Sequence, residues 1–228
     1  MKRINHILLA VLLCGSYPVM GKVFREIGVA DGRLNTAGLP WGFAYKTKMN
    51  VNGQQTDLYV YSARFNEPVV AQLKDQFEAQ GAKVVISETK DGAQGLATWD
   101  DRKARILVLS PDSQPNQMVF IFYPEPGKGR APRLPIPEYP STSKGKTVMN
   151  EDSGSMCRTI ETEDRPEQVQ TFYAGALPAD GWSMVIPPGR GLSSMAVYQK
   201  KDRICSILAT YRSDGPNRVT LLVKGGGL

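Results

Sequence analysis

The chain of 228 residues contains one histidine, three cysteines and three tryptophans. The histidine is His6, so nothing after it can supply the imidazole of a Ser-His or Cys-His nucleophile pair or of a histidine-bearing zinc site. Three thiols cannot build a four-thiolate zinc site or a four-cysteine iron–sulfur centre. The longest apolar run near the start, Ile7 to Leu13, is far short of the about 20 residues that cross a bilayer as a helix, and no later segment comes closer. No transmembrane segment is expected. The charge excess is also small: 28 Lys and Arg against 22 Asp and Glu, a net +6. Spread over this length it is too dilute to track a phosphate backbone, so nucleic acid is not an expected partner. Hydrophobic residues at 41% and charged residues at 22% exclude a disordered or collagen-like chain.

What is present begins with a leader. Lys2 and Arg3 precede the apolar stretch, and Val19-Met20-Gly21 offers a small-x-small cleavage site. This order of charge, apolar core and small residues reads as a signal peptide over 1–21, hence export to a periplasmic or extracellular space. Cys14 raises the alternative of a lipid anchor, a weaker reading because Leu13 stands where a small residue is wanted. Cleavage would remove Cys14 and leave Cys157 and Cys205. An even pair in an oxidising compartment predicts a disulfide between them.

The sequence is also duplicated. Lys46-Thr47-Lys48-Met49-Asn50 returns as Lys146-Thr147-Val148-Met149-Asn150, an offset of 100 that also maps Val69 on Val169, Gly81 on Gly181 and Val85-Ile86 on Val185-Ile186. In each copy a hairpin comes first, turning at Asn52-Gly53 or Asp152-Ser153-Gly154, because Asn and Gly tolerate positive φ. A helix follows. Pro68 or Pro166 opens it, Val69, Val70, Leu73 and Phe77, or Val169, Phe172, Tyr173 and Leu177, form its apolar stripe, and Gly81 or Gly181 ends it. Three strands complete each copy, near 82–87, 96–100 with 104–109, and 117–122, and near 182–186, 196–199 with 203–210, and 218–223. The expected fold is α+β: two tandem ββαβββ-like modules, each an antiparallel sheet packed by one helix. An N-terminal segment (22–41) precedes copy one (42–123). A Pro-rich basic linker (124–145) separates it from copy two (146–224), and 225–228 is a tail.

No sequence motif specifies catalysis, a metal or a cofactor. Gly145-Lys146-Thr147 resembles the end of a phosphate loop, but Pro140 stands where that loop needs glycine. The Ser-x-x-Lys matches at Ser87 and Ser141 lack the partner elements of serine acyl-enzymes. Asp100-Asp101 and Glu161/Glu163 are the remaining carboxylate pairs, and turn and surface roles suit them better. Binding residues are the stronger candidates. Arg102, Lys103 and Arg105 sit at a hairpin tip in copy one, Lys200, Lys201 and Arg203 at the matching tip in copy two, and Arg130 and Arg133 in the linker. Trp41, outside the repeat, is the aromatic candidate for a partner contact. The expected function is a non-enzymatic, exported binding or assembly protein of the bacterial envelope, with an envelope protein as partner. The alternatives are a binder of carbohydrate or peptidoglycan through its tryptophans, tyrosines and basic tips, or a carboxylate-dependent hydrolase.

Overall fold

The computed structural model describes residues 41–64, 68–89, 91–110, 116–127, 129–140 and 145–225. The expected leader with Cys14, the segment 22–40 and the tail beyond 225 lie outside the described residues. The first half forms β1 (Trp41–Val51), β2 (Gln54–Arg64), α1 (Val69–Ala79), β3 (Lys83–Thr89), β4 (Gly92–Thr98), β5 (Lys103–Leu109) and β6 (Asn116–Pro124). The second forms β7 (Lys146–Asn150), β8 (Met156–Thr162), α2 (Pro166–Ala179), β9 (Ser183–Ile186), β10 (Ser193–Lys200), β11 (Arg203–Thr210) and β12 (Asn217–Lys224).

These strands make one antiparallel sheet in the order β3-β4-β5-β6-β2-β1-β7-β8-β12-β11-β10-β9. The expectation of two separate ββαβββ modules is thereby corrected, for two reasons. Four strands follow each helix, because the segments expected at 96–100 with 104–109 and at 196–199 with 203–210 are two full strands each, and β4 begins earlier than expected. In the first half the chain reverses between Thr89 and Gly92, which pair with each other. Gly92 has φ +142, and a Cβ there would fall 2.0 Å from the Val108 carbonyl oxygen, so the tight hairpin depends on a glycine that a strand pattern alone does not flag. The ladders also do not stop at the end of a copy: β1 pairs with β7, Met49 opposite Asn150, Asn50 opposite Met149 and Val51 opposite Val148.

Packing divides the chain into two compact units, one holding Gln55–Gly127 with the β1 residues up to Lys48, the other Met49–Gln54 with the chain from Lys128 onward. The tip of the first hairpin thus folds with the second unit. Asn52 and Gly53 carry φ of 53° and 90°, the paired left-handed geometry of a two-residue hairpin turn. Asn50 Oδ1 accepts the Gly53 amide at 2.8 Å, and its repeat equivalent Asn150 accepts the Ser153 amide at 3.0 Å. The duplicated asparagine braces its own turn in both copies.

The first core sets Val69, Leu73 and Phe77 of α1 against Tyr59, Tyr61, Ala93, Ala97, Ala104, Ile106, Val119 and Ile121. The small alanines leave room for Phe77 and Trp99, whose rings meet edge-on at 5.5 Å. The second core sets Val169, Tyr173 and Leu177 of α2 against Ala196, Tyr198, Cys205, Ile207, Val219 and Leu221. Both helices stop where expected. Gly81 and Gly181 have φ of 82° and 79°, and the amides of Ala82 and Trp182 reach back to the carbonyls of Phe77 and Leu177.

Cys157 and Cys205 form no disulfide, and the expected bond is corrected. Cys157 stands opposite Leu222 and Cys205 opposite Val223. Leu222 and Val223 are consecutive in β12, so their side chains leave opposite faces of the sheet, and the two cysteines do the same. They also lie on strands that flank β12, about 10 Å apart at two strand spacings, whereas a disulfide wants Cα atoms within about 7 Å. Both thiols are buried.

Residues 129–140 are an extended strap, not a bare spacer. Its prolines deny it ladder bonds, yet Leu134, Ile136 and Tyr139 are buried in the second core while Arg133 and Glu138 face outward.

Candidate interaction surface

The two ends of the sheet are β3 and β9. A terminal strand offers unpaired backbone N–H and C=O groups along its outer edge. The duplicated Val-Ile pair lies on both of them. Val85 is 64% exposed, and Met184, Val185 and Ile186 are 43%, 55% and 46% exposed. Such exposure of β-branched side chains on a sheet edge is what soluble proteins ordinarily suppress with charge, proline or a covering segment.

Around β3 the sheet places charge beside this apolar strip. Cross-strand register runs Val85–Leu96–Arg105 and Lys83–Thr98–Lys103 over β3, β4 and β5. Residues opposite one another, or two apart along a strand, share a face. Val85 and the exposed Leu96 are therefore flanked on one face by Lys83, Lys103 and Arg105, all exposed and none in an ion pair among the described residues. At the second edge Ser183 occupies the position of Lys83, so the surroundings are more apolar and less charged. Exposed Met195 and Ile204 stand on β10 and β11.

The sequence-predicted basic residues all reach the surface, Lys200 half-buried and the others exposed, and Arg102 and Lys200 also contact their own fold. Lys103, Arg105, Lys201 and Arg203 are exposed, as are Arg130 and Arg133 on the strap. Arg102 stacks on the Trp99 ring at 4.8 Å. The Lys200 ammonium donates to the Asp180 carbonyl at the C-terminus of α2. In the first unit the equivalent helix end is held differently, by the Trp99 indole N–H donating to Gln80 O at 3.0 Å. Trp41 is 6% exposed, and its N–H donates to Gln72 Oε1 of α1 at 2.8 Å. It is a core residue rather than the surface contact expected of it.

The remaining aromatics follow Trp41. Trp182, Tyr59, Tyr61 and Tyr139 are buried, and Tyr211 at 45% is the exposed one among the sugar-stacking candidates. Burial pushes the Tyr61 hydroxyl up to about 12. Asp100 and Asp101 are exposed at the bend between β4 and β5. Glu161 lies 3.8 Å from Arg212. Among the described residues no group of three or more His, Cys, Asp or Glu could hold a metal ion.

The strap is tied down at both ends. The Gly129 amide donates to the Gly53 carbonyl at 2.7 Å, and the Tyr139 hydroxyl donates to Asp164 Oδ2 at 2.7 Å, just before α2. Tyr139 packs on Phe172 and Tyr173 with ring centroids 5.1 and 6.1 Å away. Burial, then the bond to Asp164, raises its pKa above the ordinary tyrosine value. Arg158 meets Glu138 at 2.9 Å over a cavity of about 10 Å³ lined by Leu134, Ile136, Ile160 and Leu221. That space suits one water molecule and no larger ligand.

Sequence reasoning missed two polar anchors. Gln170, 3% exposed on α2, donates to the carbonyls of Ser194 and Ile207 at 3.0 and 3.2 Å, tying the helix to β10 and β11. Asn217 donates to Asp164 O at 2.9 Å and accepts the Arg212 amide. The first had a signal, a glutamine beside the apolar stripe at Val169 and Tyr173. The second had none. Comparison with protein-family models, curated proteins and solved structures finds no match.

Proposed function

We propose that this chain is a non-enzymatic binding or assembly protein, exported to the bacterial envelope, that engages another envelope protein through its duplicated halves. The observation that carries the reading is the placing of the repeated Val-Ile pair on both terminal strands of the sheet, with Val85 and Val185 exposed. Duplication preserved apolar residues at two positions where folding gains little from them, and partner binding is the use such positions serve. The leader-like sequence supplies the envelope setting. Carbohydrate binding has less support, because the tryptophans and most of the tyrosines that would stack on sugars pack in the cores.

The test is mild cross-linking of the tagged chain in its native envelope, followed by pull-down and mass spectrometry. A single stoichiometric protein partner is the expected result. Recovery of the bait alone, with a tryptophan fluorescence response to purified cell-wall fragments, would replace this reading with the carbohydrate one.

A further inference from the structure

We infer that the outer edge of β3 is an acceptor for an extended segment of a partner protein that carries an apolar residue and, two positions along, an acidic one. The inference rests on the binding reading above and names its site and ligand chemistry.

The edge supplies main-chain hydrogen bonds, which hold an added strand without regard to sequence. Selectivity comes from the side chains. In an added antiparallel strand, the residue opposite Val85 packs beside Val85, which Leu96 flanks on its inner side one strand further in. The residue opposite Lys83 lies on the same face, two positions further along. Lys83 is exposed and has no ion pair among the described residues, so a carboxylate there gains a cross-strand partner. Lys103 and Arg105 stand on the same face two strands inward. They lie too far for direct contact with an added strand, but they make the potential over this face positive, which favours an acidic segment in encounter and orientation. The edge at β9 provides the contrast. It has the same Val-Ile pair but Ser183 in place of Lys83, so it lacks the charge that selects an acidic strand.

The probe is a short fluorescent peptide alternating valine and threonine, with a glutamate two positions from its central valine, titrated against the full chain by anisotropy. A control peptide carries lysine in place of the glutamate. The glutamate peptide is expected to bind the wild type at least about tenfold tighter than the lysine peptide, a preference that weakens with salt. Lys83→Glu should invert it, and Val85→Lys should remove it, leaving at most the charge-indifferent binding of the β9 edge, while circular dichroism stays unchanged. Equal binding of the two peptides, or a preference that survives Lys83→Glu, overturns the inference. So does self-association of the chain that Val85→Lys abolishes, because the occupant of the edge would then be a second copy. The envelope pull-down separates this failure from the broader one. Capture by the wild type and not by the Lys83→Glu/Val85→Lys variant is the expected result; equal capture by both leaves the binding reading standing and removes β3 as its site, and a wild type that captures no protein partner ends both.

Discussion

Asn52 and Thr147 exchange two hydrogen bonds: the Asn52 amide donates to the Thr147 carbonyl at 2.8 Å, and the Thr147 amide donates to Asn52 Oδ1 at 2.6 Å. The turn residue that reverses the first hairpin also continues the ladder that joins β1 to β7. Its left-handed φ of 53° suits asparagine or glycine. Asn52→Gly should therefore lose the side-chain bond alone, costing about 1 kcal/mol, and Asn52→Ala should lose both bond and backbone fit, costing about 2–3 kcal/mol. Urea denaturation of the two variants checks the order; an alanine variant as stable as the glycine one would refute it.

Gly53 faces a tighter constraint. A Cβ there would stand 2.2 Å from the Gly129 carbonyl oxygen, and that atom is backbone, which cannot rotate away. Gly53→Ala should push the strap off the hairpin tip. Faster amide hydrogen exchange at Gly129, whose N–H donates to the Gly53 carbonyl, is the expected signature.

At its other end the strap hangs on Tyr139. Tyr139→Phe removes the bond to Asp164 and should cost about 1 kcal/mol, whereas Tyr139→Ala also empties the ring contacts with Phe172 and Tyr173 and should cost about 3–5 kcal/mol. Equilibrium unfolding measures both. Near-equal losses would mean that the hydroxyl, not the ring, is the anchor.

The cysteine arrangement predicts indifference to reductant. A disulfide closing this span would contribute about 4 kcal/mol in the chain-entropy model. Because Cys157 and Cys205 leave opposite sheet faces, the melting temperature should be the same with and without reductant, and both thiols should alkylate once the chain is denatured.

Cys205 gives the stability a dependence on alkaline pH. Burial pushes its thiol from 9.0 up to about 12, so the folded state keeps the proton while the unfolded chain releases it near the ordinary value. Between those limits the unfolded state binds fewer protons, and stability falls as pH rises, by about 1.4 kcal/mol per pH unit. Below pH 9 the contribution is complete. Thermal melts from pH 7 to 11 should be level and then decline, and Cys205→Val should delay the decline toward pH 10, where Tyr61 begins to act in the same direction.

The parts legible in the sequence are those fixed by neighbouring residues. Asn52-Gly53 specified its turn, Gly81 and Gly181 specified the helix ends, and the stripe from Val69 to Phe77 specified the buried face of α1. The parts that were not legible depend on register between distant strands. The opposite faces of Cys157 and Cys205 follow only once β12 lies between β8 and β11. The merging of the halves depends on Val51 finding Val148, which no local pattern announces. Trp41 looked like a surface residue because it lies outside the repeat, yet Gln72 and the rings of Tyr61 and its neighbours hold it inside. At the basic tips only register places Lys103 and Arg105 on the face of Val85, while Arg102, also exposed, stacks on Trp99 and Lys200 reaches the end of α2.

The pairing of β1 with β7 has a consequence for assembly in time. During synthesis β1 emerges roughly a hundred residues before its neighbour, so a nascent first half must wait with one edge of its central hairpin unsatisfied. Until β7 arrives, the β7 of another chain can occupy the same place with the same register, giving an exchanged dimer rather than a monomer. Refolding at rising protein concentration would reveal this competition as a growing dimer fraction, set by how quickly each chain completes its own sheet.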